Sequence, residues 1–190
     1  RLSILSAEAP MNSPMLTDGS AFLQLQEEFR AAFENTVIDM PRSMLIAYPH
    51  LMHDVNIAVV TTELTLASAR DSIRVLAWLK QNAPQCKVLV VANNVQSAVV
   101  EITRKDFEST IERKIDLLLP ADPKSLAQAA KLGQPVIEAV RGSKFSAGIV
   151  TLADMVAGSF AEAADVTPAN SKSKATKTAF AGFKSMLKKK

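Results

Sequence analysis

Short apolar runs that alternate with helical segments constrain the fold of this chain more than any other feature. The runs are rich in Val, Ile and Leu, are about five residues long, and occupy residues 2–6, 36–40, 56–61, 87–91 and 115–119. Near-continuous apolar strands of this length are typical of a parallel sheet that is buried on both faces. We therefore predict an α/β fold with a doubly wound, mainly parallel sheet flanked by helices. Right-handed crossovers would place the carboxyl ends of all its strands at one edge.

The segments between these runs carry helical periodicity and capping residues. Apolar residues recur at helical spacing over 20–33, 65–81 and 146–158. Thr65 and Asp122 are predicted N-caps, Thr103 opens a capping box, and Gly133 follows the last residue of a helix. Helices are thus expected to connect successive strands, as parallel pairing requires.

Polar residues follow four of the five predicted strands. They are Asp39, Thr61-Thr62-Glu63, Asn93-Asn94 and Asp122. Ligands of a doubly wound sheet bind outside the carboxyl ends of its strands, so these residues form a candidate site. Turn formation is the alternative for Asn93 and Asn94, and helix capping is the favoured role of Asp122, although a cap beside a pocket can serve both purposes.

Asp39 is the candidate catalytic and metal-linked residue. It ends an apolar run and precedes Pro41, and a carboxylate at a strand tip is where such sheets hold Mg²⁺ and phosphate. An ordinary turn-starting aspartate before proline is the alternative. The usual partner of such a carboxylate, a G-x-x-x-x-G-K-[ST] phosphate loop, occurs nowhere in the 190 residues.

Composition favours a cytoplasmic protein with one sizeable core. The chain is 48% hydrophobic, contains a single cysteine, and has neither a secretory signal nor an apolar run of bilayer length. Because it begins with Arg1 inside an apolar run, we expect it to be a portion of a longer protein.

Positive charge is concentrated at the C-terminal end. Residues 166–190 contain seven lysines and no acidic residue, so residues 1–165 carry 19 acidic against 15 basic side chains. This distribution argues against a body that grips nucleic acid. We predict a domain over 1–158 and a flexible basic tail over 159–190, in which 176–190 can form an amphipathic helix.

The tail has three interpretations. It is a solvated end, a nonspecific binder of anionic polymer, or a weak membrane contact through Phe180, Phe183 and Leu187 with their flanking lysines. The third would add membrane association to the cytoplasmic localisation.

Four segments, taken in order, resemble the deviant Walker-A ATPases of the MinD/ParA class, and most closely the CpaE/TadZ-like pilus-assembly subgroup. The first, V-I-D-M-P-R from Val37, is similar to V-[IV]-D-L-P-R, and the second, T-T-E-L-T-L-A-S-A-R-D from Thr61, is similar to T-x-P-x-[LV]-x-S-x-R-D. The third, V-A-N-N-V from Val91, is similar to V-L-N-R-V. The fourth begins R-K-D-F-E at Arg104 and ends P-A-D-P-K at Pro120, similar to R-x-D-F-E…I-D…P-x-D-P-K.

The resemblance implies the C-terminal portion of a P-loop NTPase-like domain that uses ATP and Mg²⁺. It implies a nucleotide-dependent homodimer that works as a positioning and assembly factor of the type IV (Flp/Tad) pilus and secretion machinery, including at a cell pole. Asp39 would be the carboxylate linked to Mg²⁺ through water, and Asn93 with the backbone around Pro120 and Asp122 would frame adenine. Asn94 departs from the arginine of the pattern, and an amide does not replace a stacked guanidinium.

Two other functions fit the same residues. A non-catalytic localisation scaffold with an ATPase-like fold would explain the missing phosphate loop and Asn94. A MinD/ParA-type cell-division or partitioning ATPase is the third alternative.

Overall fold

The computed structural model describes residues 3–6, 12, 18–96 and 101–165, with side chains up to residue 159. They fall into two units, residues 1–152 and 153–190. The first unit contains the sheet and every site residue predicted above. The predicted amphipathic helix at 176–190 and most of the predicted tail lie outside the described residues.

A three-stranded parallel sheet forms the framework of the first unit, with strand order β1-β2-β3. The strands are β1 (Ile57–Thr62), β2 (Lys87–Val95) and β3 (Leu117–Pro120). Ile57 lies opposite Lys87, and Val91 lies opposite Leu117. The predicted α/β class with a parallel sheet and flanking helices is therefore confirmed.

Helices precede, connect and follow the three strands. They are α1 (Gly19–Ala32), α2 (Arg42–Ala47), α3 (Leu66–Asn82), α4 (Arg104–Thr110), α5 (Pro123–Leu132), α6 (Val136–Ala139) and α7 (Lys144–Asp165), with a 3₁₀ helix at Pro49–Met52. Thr65, Thr103 and Asp122 cap α3, α4 and α5 through their side chains, and Gly133 ends α5 in the left-handed conformation. These four capping predictions are confirmed.

Two apolar runs that were predicted to be strands are not strands. Residues 3–6 and 35–41 are irregular, and Ile4 and Val37 are 82% and 96% exposed. A strand needs a neighbour for its backbone groups, and β1 is an outer strand with which neither run pairs. Composition alone therefore overestimated the number of strands.

The last helix is longer than predicted. α7 runs to Asp165 instead of ending at residue 158, so residues 159–165, which were predicted to begin the tail, are helical. The alanines in this stretch favour helix, which composition-based reasoning discounted because little apolar surface is present. Among the described residues, no helix is long and apolar enough to cross a membrane.

The core lies on both faces of β2, the central strand. Leu89, Val90, Val91 and Ala92 are almost completely buried. One cluster packs α3 and α4 against the strands around Phe107, which is fully buried. A second cluster surrounds the amino end of β2, where Cys86 packs with the 3₁₀ helix and α3, and burial raises the pKa of its thiol.

Candidate functional site

The first strand end places a buried hydroxyl pair beneath an exposed carboxylate. Thr62 is 8% exposed, and its Oγ1 lies 3.0 Å from the Oγ of Ser72 on α3. Glu63 follows it and is exposed. Thr65 then caps α3 by accepting a 3.1 Å hydrogen bond from the Ser68 amide. Contacts of Thr62 and Thr65 thus stabilise the β1–α3 turn on either side of Glu63, which lies at the carboxyl edge of the sheet.

The second strand end contains a β-bulge at Asn93 and Asn94. Ala92 pairs with Leu118 and Val95 pairs with Pro120, so β2 has one residue more than β3 between these positions. Asn94 has a φ of 54°, a left-handed conformation that asparagine tolerates better than most residues. Both asparagines are exposed. The bulge therefore places both asparagines at the carboxyl edge of the sheet, outside the regular pairing of β2 with β3.

The third strand end lies beside that bulge. The Ala121 amide donates a 3.1 Å hydrogen bond to the Val95 carbonyl. Asp122 then accepts a 3.1 Å hydrogen bond from the Ser125 amide at the start of α5. Hydrogen bonds from Ser125 also lower the pKa of the Asp122 carboxyl. The predicted capping role of Asp122 is confirmed, and the segment from Pro120 to Asp122 runs alongside the asparagines.

A cavity of about 270 Å³ opens at the same edge. It is lined by Glu63, Leu64, Thr65, Asn94, Val95, Gln96 and Glu101. Two of these side chains are carboxylates and none is Lys or Arg. Glu101 belongs to none of the sequence motifs, so its place in the cavity could not be predicted from the sequence.

Asp39 is not at a strand tip, contrary to the prediction. It is exposed and lies in the irregular segment between α1 and α2. The segment ends at Pro41, and the next residue, Arg42, donates a 2.9 Å hydrogen bond from Nη1 to Asp71 Oδ1 on α3. The structure thus brings Asn93, Pro120 and Asp122 to one edge, and ties the segment that carries Asp39 to α3.

The fourth resembling segment holds α4 against β3. Glu108, whose side chain is 9% exposed, accepts hydrogen bonds from Arg104 (2.8 Å), Lys114 (3.1 Å) and the Ile115 amide (3.0 Å). The hydrogen bond from Arg104, followed by that from Ile115, lowers the pKa of Glu108 from an ordinary value of 4.5 to about 2. Asp116 accepts a 2.6 Å hydrogen bond from the Val90 amide, which ties the chain before β3 to β2. These residues fix α4 and β2 to the chain before β3, and they do not line the cavity at the carboxyl edge.

The residues present fit one part of an Mg²⁺-nucleotide and not the other. The exposed asparagines beside Pro120 offer amide and backbone groups of the kind that contact a base. The phosphates need cationic or backbone N–H groups, whereas the cavity carries Glu63 and Glu101. Among the described residues, the cavity therefore has no cationic side chain for phosphates, whereas the asparagines offer groups that suit a base.

No known family model matches the sequence, and no curated protein matches it. Among solved structures, a ParA family ATPase from Chlorobium tepidum TLS is similar, with a TM-score of 0.64 and 18% sequence identity. The similarity covers 71% of this chain and 55% of that protein, so the chain spans about half the length of the ATPase. At this identity the likeness concerns the fold. Over the matched part, the chain therefore has a ParA-like α/β fold.

Proposed function

We propose that this chain is the nucleotide-binding core of an ATP-binding and ATP-hydrolysing factor. In this proposal, the factor positions and assembles type IV (Flp/Tad) pilus machinery through nucleotide-dependent dimerisation. The observation that carries the ATPase part is the meeting of three polar strand ends at one edge of a ParA-like parallel sheet. The pilus assignment is supported by the four ordered segments that resemble the CpaE/TadZ subgroup.

The proposal assigns each candidate residue a separate role. Asn93 and the backbone between Pro120 and Asp122 contact the adenine, while the Asp122 carboxylate keeps α5 capped. Asp39 holds Mg²⁺ through water, and the bound ion would neutralise charge on the phosphates. Phosphate binding requires a loop from outside these 190 residues, since no Gly-rich Lys-Ser/Thr sequence occurs within them.

ATP turnover by the full-length protein tests the role of Asp39. We expect Asp39→Asn to lower kcat by about 10-fold or more, because the amide removes the charge that holds Mg²⁺ and keeps the size of the side chain. Asp54→Asn is a matched control, since Asp54 is an exposed aspartate that pairs with Arg30 at 3.1 Å. Equal rates for wild type and Asp39→Asn would remove Asp39 from the mechanism.

A non-catalytic scaffold is the second candidate function. It is favoured by the two carboxylates in the cavity and by Asn94 where the resembling sequences have arginine. The same ATP turnover assay distinguishes the two functions. Micromolar ATP binding together with hydrolysis by the full-length protein would exclude the scaffold, and absence of both would exclude the ATPase.

A further inference from the structure

An ion pair that the proposed function does not use joins two residues that are 29 positions apart in the sequence. Arg42 Nη1 lies 2.9 Å from Asp71 Oδ1. Arg42 begins α2, and Asp71 lies in the second turn of α3. The two residues end the first and the second of the four segments that resemble ATPase motifs. We call this ion pair the clasp.

The backbone around the clasp is anchored as well. The Pro41 carbonyl accepts hydrogen bonds from the Met44 amide (2.9 Å) and the Leu45 amide (3.4 Å). Leu45 packs against the core cluster that includes Leu79 of α3. The end of the irregular segment is therefore held to α3 by an ion pair and by apolar packing, whereas the residues before it have no regular structure.

Chain geometry limits how far Asp39 lies from the clasp. Three residues of extended chain span at most about 11 Å, so Asp39 stays within that distance of Arg42. Asp71 lies six residues after Thr65, or about 9 Å along α3 from the carboxyl edge of the sheet. The two lengths are similar, so a segment that runs from Arg42 towards the carboxyl edge would bring Asp39 to it.

We propose that Arg42 is a positioning residue, which holds the Asp39 segment at the nucleotide site by pairing with Asp71. The inference rests on the proposed function, because it assigns the clasp a role in Mg²⁺-ATP use. Both side chains are about half exposed, at 47% and 54%. An exposed pair contributes little to overall stability, so the clasp acts mainly on where the segment lies.

A charge-swap cycle on the full-length protein tests the clasp. The variants are Arg42→Asp, Asp71→Arg and the double variant, and the measured quantities are kcat and the Mg²⁺ concentration that gives half-maximal ATP turnover. We expect each single variant to raise that Mg²⁺ concentration by about two- to five-fold, the effect of losing one exposed ion pair. The double variant should recover most of the wild-type value, because it restores the ion pair with its charges exchanged.

Arg74→Ala is the matched control. Arg74 lies 3.6 Å from the same Asp71 carboxylate but sits on α3 itself, so its removal leaves the connection to the Asp39 segment in place. It should not change the Mg²⁺ requirement, and thermal unfolding should show that all variants fold.

Two results would overturn the inference alone: a double variant no better than the singles, or an Arg74→Ala effect equal to that of Arg42→Asp, in a protein whose wild type hydrolyses ATP. A wild type without turnover would instead overturn the proposed function, and the inference with it.

Discussion

Asn94 combines a strained backbone with a place in the candidate site. Its φ is 54°, and it both forms the β2 bulge and lines the cavity. A residue with a Cβ carbon is disfavoured in this conformation, and asparagine reduces the cost through local hydrogen bonding. The bulge therefore depends on the residue type at position 94 and not at position 93.

This dependence predicts different effects for neighbouring substitutions. Asn94→Ala should lower the free energy of unfolding by about 1 kcal/mol, and Asn94→Gly should be near neutral because glycine adopts positive φ without strain. Chemical denaturation measures both, with Asn93→Ala as the control. Equal destabilisation by alanine at positions 93 and 94 would contradict a left-handed Asn94.

Single residues could be predicted from the sequence where their role is local. Thr65, Thr103, Asp122 and Gly133 act on atoms within a few residues of themselves, so the local pattern contains the necessary information. The bulge, by contrast, depends on the register between β2 and β3. The Arg42–Asp71 pair depends on how α2 and α3 pack, and neither signal is present in the sequence near those residues.

Among the elements, α4 is joined to the chain before β3 by the carboxylate of Glu108. Arg104, Lys114 and the Ile115 amide all donate to it. These donors stabilise the charged form, which is why the pKa of Glu108 falls to about 2. The contact should therefore lose its effect only in strong acid.

The lowered pKa predicts the pH range in which Glu108 stabilises the fold. Because its folded pKa is below its unfolded value, the contribution is full above about pH 4.5 and disappears as the pH falls towards 2. Glu108→Gln should therefore be less stable than wild type at pH 6, and the two should converge near pH 2. Denaturation midpoints measured across this range test the prediction.

Glu112→Gln serves as the control for this titration, since Glu112 is exposed in the turn after α4. A Glu108→Gln difference that stayed constant from pH 6 to pH 2 would contradict the contact.

The predicted strands are correct only where the segment pairs with another strand of the sheet. The apolar runs at 56–61, 87–91 and 115–119 became β1, β2 and β3 because each pairs with another strand. The run at 36–40 has a similar composition, yet it pairs with none of them. Apolar periodicity thus identifies residues that are able to form a strand, whereas pairing depends on which other segments are next to them.

At the scale of the whole molecule, the polar residues that follow the three strands lie at the carboxyl edge of the sheet. The polar ends of β1, β2 and β3 were predicted to meet because parallel strands with right-handed crossovers share their carboxyl edge, and they do meet. Asp39 was predicted to join them as a strand tip and does not, since its segment is outside the sheet. The sequence thus predicted the location of the site better than its full set of residues.

Amide hydrogen exchange of the full-length protein, with and without Mg²⁺-ATP, is the most direct test of a nucleotide site at this edge. Within these 190 residues, we predict slower exchange at 62–65, 93–96 and 121–122, with no change at the amino end of β2 around Lys87. Unchanged exchange in all three segments at saturating Mg²⁺-ATP would contradict a nucleotide site at the carboxyl edge of this sheet.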